Sequence, residues 1–251
     1  MVRIGPNTKL PAQREAVQLR TEDGLRLVGE LALPADRAPV ATVVLLHPLP
    51  THGGMMDSHV LRKAAFRLPA LAGLAVLRFN TRGAASEAGR SEGTFGAAEG
   101  ERLDVAAALD FARSRELPRV WLAGWSFGSD LALMHGTDVL VEGIVLIAPP
   151  LRWSSPVQRA AWASTGKPVV ALVPEFDDYR LPEDVREGCA MIPQARVITL
   201  PGAGHLLVGH ADAVLDHLVS VVAPETPVPL PRDWDGECED QQVTIVDSQR
   251  R

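Results

Sequence analysis

A serine framed by glycines, a late histidine behind two further glycines, and a pair of acids between them could together perform nucleophilic chemistry. The serine lies in Gly124-Trp125-Ser126-Phe127-Gly128, the pattern G-x-S-x-G. A short apolar run from Val120 to Ala123 precedes it and an apolar helix-like segment, Leu131 to Met134, follows. Strand, sharp turn and helix form the context in which such a serine stands at a strand's carboxyl end. Glycine on either side removes Cβ atoms that would collide with the neighbouring strand and helix, and tolerates the unusual backbone of the turn.

A serine hydroxyl needs a base within hydrogen-bond reach. Among the seven histidines, His205 alone follows the last predicted strand, in Gly202-Ala203-Gly204-His205, where small residues leave room for the ring. His210 and His217 fall on the closing helix, and His135 at the end of the helix after Ser126. The base in turn needs a carboxylate to hold its tautomer. Asp177 and Asp178 close the preceding strand; Asp177 is the preferred partner, Asp178 the alternative acid, and Glu175 sits nearer the strand body. Two N–H groups should hold an oxyanion: Phe127, directly after the nucleophile, and Leu49, the first good donor after His47 because Pro48 and Pro50 have no N–H. His47 reads as a loop organiser. It is also a candidate for the substrate pocket, with His52, Trp125 and Trp153; His59 and Trp162 could face the same crevice.

These residues must be positioned by a scaffold, and the hydrophobic pattern supplies one. Val17–Arg20 and Leu25–Leu33 flank the turn Thr21–Gly24 and predict an antiparallel hairpin. Continuous apolar runs at 41–46, 74–79, 120–123, 141–148, 168–173 and 195–200 predict strands covered on both faces. Helices are expected at 58–70 with Ser58 as N-cap, 97–114, after Ser126, at 182–190 and at 206–222. Residues 80–96 should be irregular, and 151–166 are too few to form a separate substrate domain. Glu99, Glu101 and Asp104 read as a solvated helix start. The alternation gives an α/β fold with a doubly wound, mostly parallel sheet, in which ligands bind beyond the carboxyl ends of the strands. The serine, acid, histidine and Leu49-loop motifs fall at such ends.

Taken together, these motifs resemble the α/β-hydrolase superfamily: Gly124–Gly128, an acid two strands on, then Gly202–His205, in the chain order Ser, Asp, His. His47–Asp57 and Leu77–Gly83 are similar to loops of a compact bacterial predicted-hydrolase subgroup related to dienelactone hydrolase and small esterases. The likeness spans residues 15–222. It implies an eight-stranded α/β-hydrolase fold with helices on both faces and no large lid. It further implies a carboxylesterase-like serine hydrolase working through an acyl-enzyme. The acid loop, Val173 to Asp178, departs from the His-Gly-x-x-Asp-like turn usual there. A non-catalytic scaffold that binds a ligand or partner, or an acyltransferase or peptidase with the same residues, is the alternative.

Composition narrows the classes further. The 251 residues are 46% hydrophobic and 22% charged, with a net charge of −6, and no basic run argues for nucleic acid. Cys189 and Cys238 show no metal-ligand or disulfide spacing. No G-x-G-x-x-G opens a helix after the first parallel strand, and no Lys-Ser/Thr follows the glycines of 83–96, so neither dinucleotide nor P-loop phosphate binding is expected. No cofactor or metal is called for. The expected partner is a small acyl substrate, with no membrane span, a cytoplasmic location, and either a monomer or a homodimer. Residues 1–14 read as a loose lead-in and the Pro-rich, acidic 223–251 as a tail that is flexible or draped on the domain.

Overall fold

The computed structural model describes residues 1–239. Eight strands form one sheet: β1 (Ala12–Arg20), β2 (Arg26–Pro34), β3 (Ala41–Leu46), β4 (Leu74–Phe79), β5 (Val120–Trp125), β6 (Val141–Ile147), β7 (Val169–Phe176) and β8 (Ala195–Gly204). Their order across the sheet is β8-β7-β6-β5-β3-β4-β2-β1. β3 to β8 are mutually parallel. β2 runs antiparallel to β4 and to β1. The hairpin turns at Gly24, whose φ of 89° suits a residue without Cβ.

Six helices cover the sheet: α1 (His59–Ala72), α2 (Glu101–Ser114), α3 (Phe127–His135), α4 (Pro156–Thr165), α5 (Pro182–Gly188) and α6 (Ala211–Val222). The apolar run of β3 explains the two-sided packing. Val44 and Leu46 point into a core shared with α2 and α3, while Val43 and Leu45 point into a second core shared with α1 and α6. Alternation at period two thus feeds both layers from one strand.

The chain leaves β3 through α1 to β4 on one side, then returns through α2 to β5 on the other. The sheet's switch point therefore lies between the carboxyl ends of β3 and β5, where open α/β sheets place their ligands. The loop with Leu49 and the turn with Ser126 flank it.

Several boundaries differ from the sequence expectation for local reasons. α2 starts at Glu101 rather than 97, because Ala97 and Ala98 take positive φ. Its acids are not a solvated start: Glu101 and Asp104 are buried. Asp104 accepts from Arg82 N and Nε at 2.8 and 2.9 Å, and Glu101 accepts from Gly96 N at 2.8 Å. Burial pushes both carboxyls up, against the pull of these donors. Ser58 precedes α1, but its hydroxyl takes Met55 N rather than a helix N–H. The segment 151–166 contains α4, with a capping box between Ser155 and Gln158. α6 begins at Ala211, since Leu206–His210 forms turns with positive φ at Leu207 and Gly209.

Residues 223–239 of the expected tail lie against the domain. Leu230 is buried beside α6, its N–H bound to Asp216 at 2.8 Å. Asp233–Trp234 pair with Val2–Arg3 of the lead-in, and Glu239 meets Lys9 and Arg14 at 2.8 and 3.0 Å. One apolar anchor and these polar ties hold a stretch whose composition alone suggests disorder. The remainder of that tail, 240–251, falls outside the described residues.

Candidate active site

At the end of β5 the backbone turns through Ser126 at φ 52°, ψ −118° before entering α3. An added Cβ on Gly124 would lie 2.1 Å from Gly128 O, and one on Gly128 would lie 2.1 Å from Leu46 O. Only glycine permits that approach. Two bonds pin the turn: Ser126 N donates to Ile147 O at 2.8 Å, and Ser129 N donates to Ser126 O at 2.8 Å. The strained conformation is thus overdetermined by its surroundings.

His205 follows β8 and reaches back to this turn. Its Nε2 lies 2.9 Å from Ser126 Oγ and its Nδ1 lies 2.8 Å from Asp177 Oδ2. An ionised carboxylate only accepts, so Nδ1 carries the proton and Nε2 is left to accept from the serine hydroxyl. His205 and Asp177 are 8% and 6% exposed, which shields their pairing from water. The second oxygen of Asp177 accepts from Tyr179 N at 2.8 Å and Arg180 N at 3.2 Å. That turn aims one acid inward and leaves Asp178 exposed. Glu175 is exposed as well and binds Gly202 N at 2.8 Å, bracing the loop before the histidine. Trp125 Nε1 donates to His205 O at 3.3 Å, and His59 packs edge-on against Trp125 while its Nε2 meets Leu206 O at 2.8 Å.

A cleft of about 270 Å³ opens over Ser126. Leu49, Phe127, His52, Trp125 and Trp153 line it with Tyr179 and Arg152. Phe127 is the first residue of α3, where helix geometry leaves N–H groups without an intrahelical acceptor. Two aromatic expectations part ways here. Trp153 joins Phe95 and Phe127 in edge-to-face contacts at 5.9 and 5.7 Å, whereas Trp162 is buried behind α3 with Nε1 on Leu133 O at 3.0 Å. Trp162 is core.

His47 does not face the cleft either; it is buried beneath it. Thr81 N donates to its Nε2 at 3.0 Å, so Nδ1 carries the proton and donates to Pro48 O at 2.6 Å. The ring ties the Leu49 loop to the end of β4. Burial lowers its pKa from 6.5 to about 4. The unfolded chain therefore takes up a proton below about pH 6.5 that the folded chain refuses. The stability contributed is whole above that pH and falls as the pH drops toward 4, by about 3 kcal/mol in all. Urea unfolding at pH 7 and pH 5 should show this slope, and His47→Gln should flatten it; the comparison between the two proteins cancels the other titrating groups.

Sequence reasoning did not find Asp130, Arg152 or Tyr179. Asp130, fully buried in the first turn of α3, accepts from Arg152 N (3.0 Å), Trp153 N (3.2 Å), Ser154 N (3.1 Å) and Ser154 Oγ (2.5 Å). It fixes the loop after β6 that walls the cleft. The signal available was an acid four residues after the serine, inside an otherwise apolar helix start. Asp130→Asn places an NH2 where acceptors are required, and it should lower the unfolding free energy by about 2 to 4 kcal/mol in urea titration. Among the described residues no group of three His, Cys, Asp or Glu side chains could hold a metal ion, and no helix is long and apolar enough to cross a membrane.

No protein-family model matches the chain, and comparison with curated proteins gives no match. Solved structures do match. A serine hydrolase without a lid from Xanthomonas campestris is 26% identical with a TM-score of 0.71, over 88% of this chain and 99% of that one. A serine hydrolase homologue from Coxiella burnetii is 25% identical with a TM-score of 0.70, over 83% and 97%. An esterase from Pyrococcus furiosus, at 19% identity, shares the fold with a TM-score of 0.69 over 86% and 93%. The first two neighbours are described as serine hydrolases, which supports a hydrolase function. With this sheet order, its hairpin edge and its likeness to the Xanthomonas and Coxiella proteins, the chain is a member of the α/β-hydrolase superfamily.

Proposed function

We propose that this protein is a lidless serine hydrolase of carboxylic esters or closely related acyl bonds, akin to the compact bacterial hydrolases its loops resemble. One observation carries the reading: the hydrogen-bonded series Ser126 Oγ, His205 Nε2, His205 Nδ1, Asp177 Oδ2, at 2.9 and 2.8 Å, at the floor of an open cleft.

In this reading His205 Nε2 takes the hydroxyl proton as Ser126 Oγ attacks the acyl carbon. Asp177 stabilises the imidazolium without itself being protonated. The N–H groups of Phe127 and Leu49 hold the oxyanion, a kind of contact worth about 3 to 4 kcal/mol per donor in the transition state. The proton passes from Nε2 to the departing alkoxide, which leaves as the alcohol and yields the acyl-enzyme. Water, deprotonated by the same nitrogen, attacks next; the acid leaves and Ser126 regains its proton. Leu49, Phe127, Trp125 and Trp153 offer an apolar wall, and a cleft of about 270 Å³ suits a small acyl group.

A fluorophosphonate probe, with adduct mapping by mass spectrometry, tests this directly. A Ser126 adduct lost in both Ser126→Ala and His205→Ala is expected. Folded wild-type protein that never labels would sink the reading in favour of a binding scaffold.

A further inference from the structure

We infer that the cleft wall at Arg152 and Trp153 recognises a carboxylate carried by the substrate, so that the preferred substrates are half-esters of dicarboxylic acids; this rests on the ester-hydrolase reading.

Arg152 is the one residue lining the cleft whose side chain carries a permanent charge; the rest of the lining is apolar, aromatic, glycine, serine or histidine. Several other arginines are matched with acids, as Arg82 is with Asp104 and Asp23, and Arg14 with Glu239. Among the described residues no carboxylate pairs with Arg152. Its guanidinium sits 5.8 Å from the Trp153 ring centroid, a placement that shields one face and leaves the N–H edge for a planar anion.

Arg152 is exposed, but its backbone is anchored. Its backbone N–H and that of Trp153 are held by the buried Asp130 carboxylate at 3.0 and 3.2 Å, so the rigid α3 that begins at the nucleophile also sets where Arg152 starts. Phe127 and Trp153 line the same cleft as Arg152 and Ser126, and they suit an apolar spacer joining the scissile carbonyl to a charged end. One guanidinium without a second cation in the lining matches one negative charge, a carboxylate rather than a phosphate dianion. Hydrolysis of such a half-ester breaks the acyl C–O bond, adds water across it, and releases an alcohol, a dicarboxylate and a proton.

The test compares monomethyl half-esters of dicarboxylic acids of increasing length with neutral methyl esters of matched length. The half-ester to neutral-ester ratio of kcat/KM should peak at one length and fall about tenfold in Arg152→Met, less in Arg152→Lys, which keeps charge but loses the fork. Arg119→Met, at the far, amino end of β5 and paired with Glu142, should leave the ratio alone. A parallel titration of half-esters into Ser126→Ala protein, with and without Arg152→Met, reads binding without turnover. Equal use of charged and neutral esters at every length would overturn the carboxylate site while leaving the hydrolase reading intact. No turnover of any ester, with binding that still depends on Arg152, would support the carboxylate site and remove the hydrolase reading. No turnover and no Arg152-dependent binding would remove both.

Discussion

Ser126→Ala should lower kcat/KM for a short-chain aryl ester by about four to six orders of magnitude, and His205→Ala by about as much. The magnitude follows from removing the attacking atom or the base that sits 2.9 Å from it. What survives is the contribution of cleft binding and of the Phe127 and Leu49 N–H groups, which neither substitution touches. Because nucleophile and base act as one unit, the double variant should be hardly worse than either single one. Steady-state kinetics on all three proteins, purified free of contaminating esterase, checks this. Losses that simply multiply would mean the two residues do not share a step.

Asp177→Asn should cost about three to four orders of magnitude in kcat, while Asp178→Asn should stay within about twofold. The contrast rests on where each carboxylate points. Asp177 Oδ1 is committed to Tyr179 N and Arg180 N, and Oδ2 to His205 Nδ1. An asparagine keeps its carbonyl oxygen on the two backbone donors and so turns its NH2 toward Nδ1. That nitrogen must then accept, the proton moves to Nε2, and the ring meets Ser126 in the wrong tautomer. Asp178 is exposed on the same turn and has no such hold. Matching pH–rate profiles for both variants would show whether the lost rate is a tautomer effect. An equal fall in the two proteins would reverse the choice of acid.

Much of this was legible before any coordinates. Runs such as Ala41–Leu46, buried on both faces, announce a parallel sheet interior, and a helix pattern between successive runs announces the winding. The turn at Ser126 was legible too, because a backbone that sharp excludes almost everything but glycine at 124 and 128. These are local constraints, written in neighbouring residues. His205 was singled out by its position after the last strand, again a matter of chain order.

The tertiary structure alone decided which polar groups are buried and with whom. Glu101 and Asp104 look like helix-start acids, yet Asp104 is sealed against Arg82, 22 residues away. His47, read as a loop organiser and also as a pocket candidate, takes the first role and faces Thr81 beneath the loop, and Trp162 looks like a crevice aromatic but closes the core behind α3. Asp130, unremarked in sequence, organises the wall that carries Arg152. The choice between Asp177 and Asp178 belongs here as well, since adjacent residues leaving a strand point in different directions and only the turn shows which one meets the ring. Periodicity and turn chemistry act over a few residues and can be read along the chain. The partner of a buried charge is set by which distant segments the folded sheet brings together, so it becomes visible only when the chain has folded.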